Sequence, residues 1–281
     1  MVQNRSALNR FLTGALPTLL FLIVVLLPFY IMAIVSFKTL DQFTDLDQNP
    51  WIVTQFTLEH YIFLFKDTLF ATWTLNSVIV SVVATVISLV FSVMAGYALA
   101  RLRFRGANAL GWIIFVTYLV PQTLLFLPLT SVIGIFHLTN SRWALILTYP
   151  TILIPFSTWL LMGYFRGIPR ELEQAALIDG ATRLQAMRRV VLPLALPGIL
   201  SAGIFAFTLS WNEYIYALTF ITSAGLKTIP VGVTTELIRG DTNFWGPLMA
   251  GALLGSIPVA ILYSFFVDYF VAGMTAGAVK G

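Results

Sequence analysis

Six unbroken apolar stretches, roughly 14–36, 70–99, 108–135, 142–164, 196–222 and 246–273, dominate the chain. Each is long enough to cross about 30 Å of hydrocarbon, which takes about 20 helical residues. The stretches do not alternate polar with apolar residues, so a transmembrane β-barrel is excluded. A soluble globule is excluded too. Of 281 residues 58% are hydrophobic and only 10% charged, at a mean hydropathy of +0.89. A water-facing shell needs more charge than that, and a disordered chain needs far less apolar content. The expected class is an all-α polytopic membrane protein of six transmembrane helices. Pro121, Pro150, Pro155 and Pro258 fall inside the stretches and mark kinks or gating hinges.

The first stretch follows Arg5 and Arg10, as a signal peptide would. Its apolar core exceeds the usual 7–15 residues of such peptides, and it ends in IVSFK with no small-x-small site, so a retained anchor is expected. With the N-terminus inside, eleven of the sixteen Lys and Arg fall on that side: Arg5, Arg10, Arg101, Arg103, Arg105, Arg166, Arg170, Arg183, Arg188, Arg189 and Lys280. Lys38, Lys66, Arg142, Lys227 and Arg239 fall on the other. The bias places both termini in the cytoplasm.

Three organisational parts follow: 1–69 with the tail, first span and first outer loop; a 70–273 core of five spans; and a 274–281 cytoplasmic tail. The outer segment 37–69 contains TLEHYIFLF and should pack as a short helix on the outer membrane surface. The outer segment 223–245, with Gly225, Pro230, Gly232 and Gly240, reads as a long loop, a binding element or lid.

The inner segment 165–195 carries the strongest local signals. Pro169 suits the first turn of a helix. Glu171 and Glu173 suit its positive N-terminal end. Leu172, Ala175, Ala176 and Leu177 form an apolar face. Gly180 is a left-handed terminator. Thr182 and Gln185 have the spacing of a capping box for a second helix, which runs through Leu184, Met187, Arg188 and Val191 to Pro193 and Pro197. Two alanines and a glycine permit close approach of another surface. The hairpin either docks in a partner's groove or merely closes the bundle.

This segment resembles the signature of the integral-membrane permease subunits of binding-protein-dependent ABC importers, EAA-x3-G-x9-I-x-L-P. Here it reads Gln174-Ala175-Ala176, LID, Gly180, nine residues, then Val190, Val191, Leu192, Pro193. Gln174 stands where Glu is usual, and Val190 where Ile is usual. IPRELEQAALIDGATRLQAMRRVVLPL, residues 75–104, LSWNEYIYALTF at 209–220 and the terminal MTAGAVKG are similar to the maltose-type, carbohydrate-uptake branch. The resemblance implies the type I importer fold. It also implies a coupling helix in which Gln174, Ala175, Ala176 and Gly180 contact a cytoplasmic ATPase subunit, with Glu171, Glu173 and Asp179 nearby. Gln174 would offer a neutral hydrogen bond in place of a salt bridge. Residues 277–281 either reach the ATPase interface or fray. The implied partners are a second homologous permease, an ATPase dimer, an extracytoplasmic solute-binding protein and the lipid bilayer, with no nucleic acid. The implied location is the bacterial inner membrane, multi-pass.

Within the fifth stretch, Trp211, Asn212, Glu213 and Tyr214 are candidates for the solute path, because amide, carboxylate and aromatic groups suit sugar hydroxyls and ring faces. The alternatives are helix-to-helix glue and an interfacial aromatic belt. Asp268 should pair with a basic residue near the inner end of the sixth span. His60 and His137 have no partner at metal-ligand spacing, and the chain has no Cys. No G-x-x-x-x-G-K-S/T loop is present. The chain is therefore read as a non-enzyme that binds no cofactor of its own, with ATP and Mg in the partner. Three rivals remain open. One is a stand-alone carrier using Glu213 for ion coupling, which requires internal repeats that are not seen. Another is an intramembrane enzyme, which requires facing catalytic residues. The last is the same machinery serving an amino acid or polyamine.

Overall fold

Proline and glycine decide where the apolar stretches break. The computed structural model describes residues 11–45, 47–239, 242–243 and 245–276, without the side chains of Phe11, Phe43, Thr44, Arg239, Thr242, Asn243 and the residues after Val267. Arg5, Arg10, Gly240, Lys280, the 277–281 tail and the side chain of Asp268 lie outside the described residues. The chain is helical almost throughout. Among the described residues four helices are long and apolar enough to cross a membrane, and two bent pairs bring the number to six if each pair is one span.

Two compact units divide the chain, 1–70 with 233–256 and 71–232 with 257–281. In the first, α1 (Leu16–Phe37) is apolar on all sides and exposed along nearly its whole length. Two short helices follow, α2 (Leu40–Thr44) and α3 (Glu59–Lys66), where one had been expected. Phe37 stacks on Phe56 and Tyr61 with ring centres 4.9 and 5.1 Å away. Lys38, almost fully buried, donates to the carbonyls of Asn49 and Pro50 at 2.9 and 3.0 Å. His60 bonds the Lys38 carbonyl through Nε2 at 2.8 Å. Gly246 lies so close to that imidazole that a Cβ there would fall 2.3 Å from Nε2.

In the second unit, α4 (Phe70–Arg101) runs 32 residues, enough to overrun the hydrocarbon core. The third stretch is not one helix. α5 (Ala107–Tyr118) and α6 (Gln122–Ile135) meet at 98°. Pro121 has no N–H to continue the ladder, and a proline disfavours helical backbone at the residue before it. α7 (Arg142–Thr148) and α8 (Pro150–Gly167) form the fourth span, with Pro150 at the tolerated first position.

The fifth stretch also departs from a single 196–222 helix. α12 (Leu196–Trp211) stops at Trp211, and α13 (Ile215–Phe220) starts afresh. It is preceded by the hairpin helices α9 (Arg170–Ile178) and α10 (Arg183–Ala186), a π-helical turn at Met187–Val191, and α11 (Leu192–Leu194). The Arg183–Leu194 run meets α12 at 75°.

Two apolar clusters hold this unit. Val80, Ala84, Leu145, Tyr149, Leu153, Tyr216, Phe220 and Val231 form one. Tyr97, Leu161, Phe165, Val191, Ala195 and Ala202 form the other. Small residues let the helices approach, as membrane packing requires. A Cβ on Gly96 would lie 3.2 Å from Leu161 Cβ.

About half of the expected outer loop, 223–245, is helix. After a 3₁₀ turn at Ala224–Leu226, α14 (Ile229–Glu236) leads to a two-residue hairpin, β1 (Ile238–Arg239) against β2 (Thr242–Asn243), and then α15 (Trp245–Ala276). Side chains of α4 fasten residues 224–229. Trp73 Nε1 donates to the Ala224 carbonyl at 2.8 Å, Asn76 Nδ2 to those of Gly225 and Lys227 at 3.0 and 2.9 Å, and Ser77 Oγ accepts from Ile229 N–H at 2.8 Å. Gly232 then faces the buried Trp73 indole, and a Cβ would fall 2.3 Å from Cδ2. Gly232→Ala is expected to lower stability by about 2 kcal/mol, the cost of overpacking a closed site. Thermal unfolding of the purified protein checks it against Gly225→Ala, where the added methyl meets nothing within 4 Å.

Candidate coupling surface and solute-path residues

The hairpin forms because both ends of its turn are capped. Gly180 sits at φ +88°, a left-handed position. There Gly180 N–H reaches the Leu177 carbonyl at 3.2 Å and Ala181 N–H reaches that of Ala176 at 3.0 Å. That pair of bonds is the Schellman ending, which satisfies carbonyls the helix leaves over. Two residues on, Gln185 N–H bonds Thr182 Oγ1 at 3.3 Å and Thr182 N–H bonds Gln185 Oε1 at 2.8 Å, the reciprocal box expected from the spacing. Pro169 takes the capping position ahead of α9, one residue before the first turn to which it was assigned.

No residue of α9 is buried. Ile178 is 86% exposed, Leu184 61% and Leu172 44%. Glu171, Gln174, Ala175, Asp179 and Gly180 are exposed with them, and Ala176 is half-buried. Large exposed apolar side chains thus surround an Ala-Ala-x3-Gly knuckle, a pattern found at protein and membrane contact surfaces.

Glu173 does something else. Its carboxylate accepts from Tyr97 Oη at 2.5 Å and lies 3.8 Å from Arg101 Nε. Arg101 is almost fully buried and also donates to the Ile168 carbonyl at 2.7 Å. Arg170 reaches the Ala100 carbonyl at 3.3 Å. Glu173, expected near the partner, therefore ties α9 to the end of α4. Tyr97, Arg101 and Ile168 were not singled out from the sequence, since nothing local links residues some seventy positions apart. Glu173→Gln keeps an acceptor for Tyr97 but removes the charge facing Arg101, and should cost about 1–2 kcal/mol. Faster hydrogen exchange in α9, with the spans unaffected, is the expected signature.

The residues proposed for the solute path differ in exposure and in partners. Trp211 is buried and stacks on Phe207, ring centres 5.6 Å apart. Asn212 is exposed and donates to the Thr208 carbonyl of its own helix at 2.9 Å. Glu213 is buried at 8% exposure, and its two oxygens accept the free N–H groups of Tyr216 and Ala217 at 2.7 and 3.0 Å. It closes the start of α13 and compensates the break after Trp211. Tyr214 is half-buried. Asn140 proves to be a further clamp. At φ +56° it accepts from Thr222 and Ser223 N–H at 3.1 and 2.9 Å and donates to Ser223 Oγ at 2.7 Å. Its position in a short polar turn after Gly134 was the available signal, because Asn tolerates left-handed backbone. Among the described residues no group of three or more His, Asp or Glu could hold a metal.

Up to six apolar crossings among the described residues, with a capped hairpin before the last two, define an integral-membrane component. Residues 88–276 match the family described as binding-protein-dependent transport system inner membrane component, and the chain belongs to that family. It is 36% identical to the inner membrane ABC transporter permease protein YcjP of Escherichia coli (strain K12), with 100% of both chains covered. It is 35% identical to the diacetylchitobiose uptake system permease protein DasC of Streptomyces coelicolor, over 99% of this chain and 100% of that one. It is 33% identical to the trehalose/maltose transport system permease protein MalG of Thermococcus litoralis, over 94% of each. The fold matches a chain of a bacterial ABC transporter involved in the import of the acidic polysaccharide alginate. That match has a TM-score of 0.80 and 23% identity, covering 95% of this chain and 99% of that one.

Proposed function

We propose that this chain is one of two homologous permease subunits of an ATP-driven importer and forms half of a path for a sugar, oligosaccharide or polyol. The observation that carries the reading is the exposed Ala175–Gly180 knuckle with Leu172, Ile178 and Leu184 around it. A cytoplasmic ATPase dimer, which supplies ATP and Mg, grips this knuckle on each permease. Closing of that dimer moves the hairpins. The ties from Glu173 to Tyr97 and Arg101 pass the motion to α4. A solute-binding protein on the outer face delivers the solute. The excess of Arg on the hairpin side supports a cytoplasmic placement of that side, in a bacterial inner membrane. Relatives named for diacetylchitobiose and trehalose/maltose support a carbohydrate solute. A related solved complex contains an alginate-pentasaccharide-bound periplasmic protein, which supports delivery by a receptor.

A stand-alone carrier would need Glu213 free for an ion, but both its oxygens are held by backbone N–H groups. The test is sugar uptake into cells with and without the ATPase gene. Uptake of maltose, trehalose or diacetylchitobiose that disappears with the ATPase is expected. Undiminished uptake in its absence would overturn the reading.

A further inference from the structure

Trp112, Phe115 and Tyr118 on α5, Phe156 and Trp159 on α8, and Phe205 on α12 form one aromatic face. Ring centres are 6.0 Å apart for Trp112–Phe115, 5.5 Å for Phe115–Trp159, 5.3 Å for Tyr118–Phe156 and 3.9 Å for Phe156–Phe205. Phe115, Tyr118, Phe156 and Trp159 line a shallow recess of about 40 Å³.

Its depth is unusual for such residues. The Arg142–Gly167 span has its midpoint between Ile154 and Pro155. At 1.5 Å per residue, Phe156 lies about 2 Å and Trp159 about 7 Å from that midpoint. Interfacial belts of Trp and Tyr sit at the membrane surfaces, not there. Trp159 is 44% and Tyr118 38% exposed. Neither the indole N–H of Trp159 nor the hydroxyl of Tyr118 bonds any group among the described residues. Facing hydrocarbon, each unpaired group would cost several kcal/mol. The side of α4 exposed at comparable depth carries Val78, Val82, Val86 and Val90, with nothing to satisfy. The aromatic face also borders the 98° break at Pro121. In secondary transporters, discontinuous helices near the midplane are where solutes bind.

We propose that this face is the chain's wall of the solute path and takes a neutral sugar ring. The C–H edges of the sugar stack on Trp159 and Phe156, and its hydroxyls bond Trp159 Nε1 and Tyr118 Oη. Aromatic faces carry negative partial charge and attract polarised C–H groups. No Asp, Glu, Lys or Arg lines the recess, so a charged amino acid or polyamine finds no counter-ion. The recess is one-sided, and the facing permease supplies the other wall. This assignment rests on the sugar-importer reading but can fail without it.

The chain has no Cys, so single thiols report cleanly. In membranes holding the whole transporter, Trp159→Cys and Val86→Cys are treated with a membrane-impermeant cationic methanethiosulfonate, with and without ATP. Reaction of the Trp159→Cys thiol in at least one condition, and of the Val86→Cys thiol in neither, is expected. No reaction in either condition means that lipid or the second permease covers the face, and overturns the site. In parallel, Trp159→Leu should lower uptake of maltose, trehalose or diacetylchitobiose at least tenfold, with receptor-stimulated ATP hydrolysis retained, and Trp159→Phe, which keeps the stacking face but not the indole N–H, restoring only part of the uptake. Unchanged uptake overturns the site alone. Loss of uptake and hydrolysis together assigns the ring to packing and overturns it as well. If the unmodified transporter takes up none of these sugars with ATP, the sugar reading itself falls.

Discussion

Replacing Gly180 by Asp is expected to abolish uptake and capture of the ATPase subunit while the chain still inserts and folds. The reason lies in the space around the residue. A Cβ at Gly180 meets nothing within 4 Å, so the substitution does not clash with its own chain. The left-handed φ of +88° strains any L-residue, by roughly 1–2 kcal/mol, and Asp is among those that tolerate it best. The change therefore falls on whatever approaches the knuckle from outside. A carboxylate placed in a closely fitted apolar contact should reduce association at least tenfold, equivalent to about 1.4 kcal/mol. Gly180→Asn supplies the control, with the same backbone tolerance and no charge. Co-purification of the ATPase with each variant, alongside thermal unfolding of the permease, reads both quantities. Normal co-purification of Gly180→Asp would remove the knuckle from the interface.

Glu213→Ala is expected to lower stability by about 2–6 kcal/mol. The substitution strips two buried N–H groups, those of Tyr216 and Ala217, of their acceptor, at about 1–3 kcal/mol each. Glu213→Gln keeps one acceptor oxygen and should lose about half as much. The KM for uptake should be the same in both variants as in the parent once the amount of folded protein is matched. A raised KM with unchanged unfolding temperature would return Glu213 to the solute path.

The hairpin was legible because its signals are local. Gly180, and the pair Thr182 and Gln185, each declare a backbone geometry within a few residues, and each was found in that geometry. Apolar length alone made up to six crossings legible, of which four are single helices among the described residues. The breaks were not. Pro121 and Pro155 both stand inside apolar stretches, yet only the first turns its helix by 98°. Which proline breaks a span depends on neighbours that can satisfy freed backbone groups, and those neighbours are distant in sequence. The end of α12 at Trp211 was missed for the same reason. Glu213 looked like a functional charge in the membrane because its partners, two backbone N–H groups beyond the break, exist only once the break does. The 223–245 segment looked like a loop because Gly and Pro were read as punctuation. Gly232 is instead a contact residue inside α14, made room for by Trp73 some 160 positions away.

The most direct measurement is a photo-crosslink from Ile178, the most exposed apolar residue of the knuckle. With a benzoylphenylalanine at that position in the assembled transporter, illumination should join this chain to the ATPase subunit, identified by the mass of the adduct. An adduct with the extracytoplasmic receptor, or with lipid alone, would contradict the account.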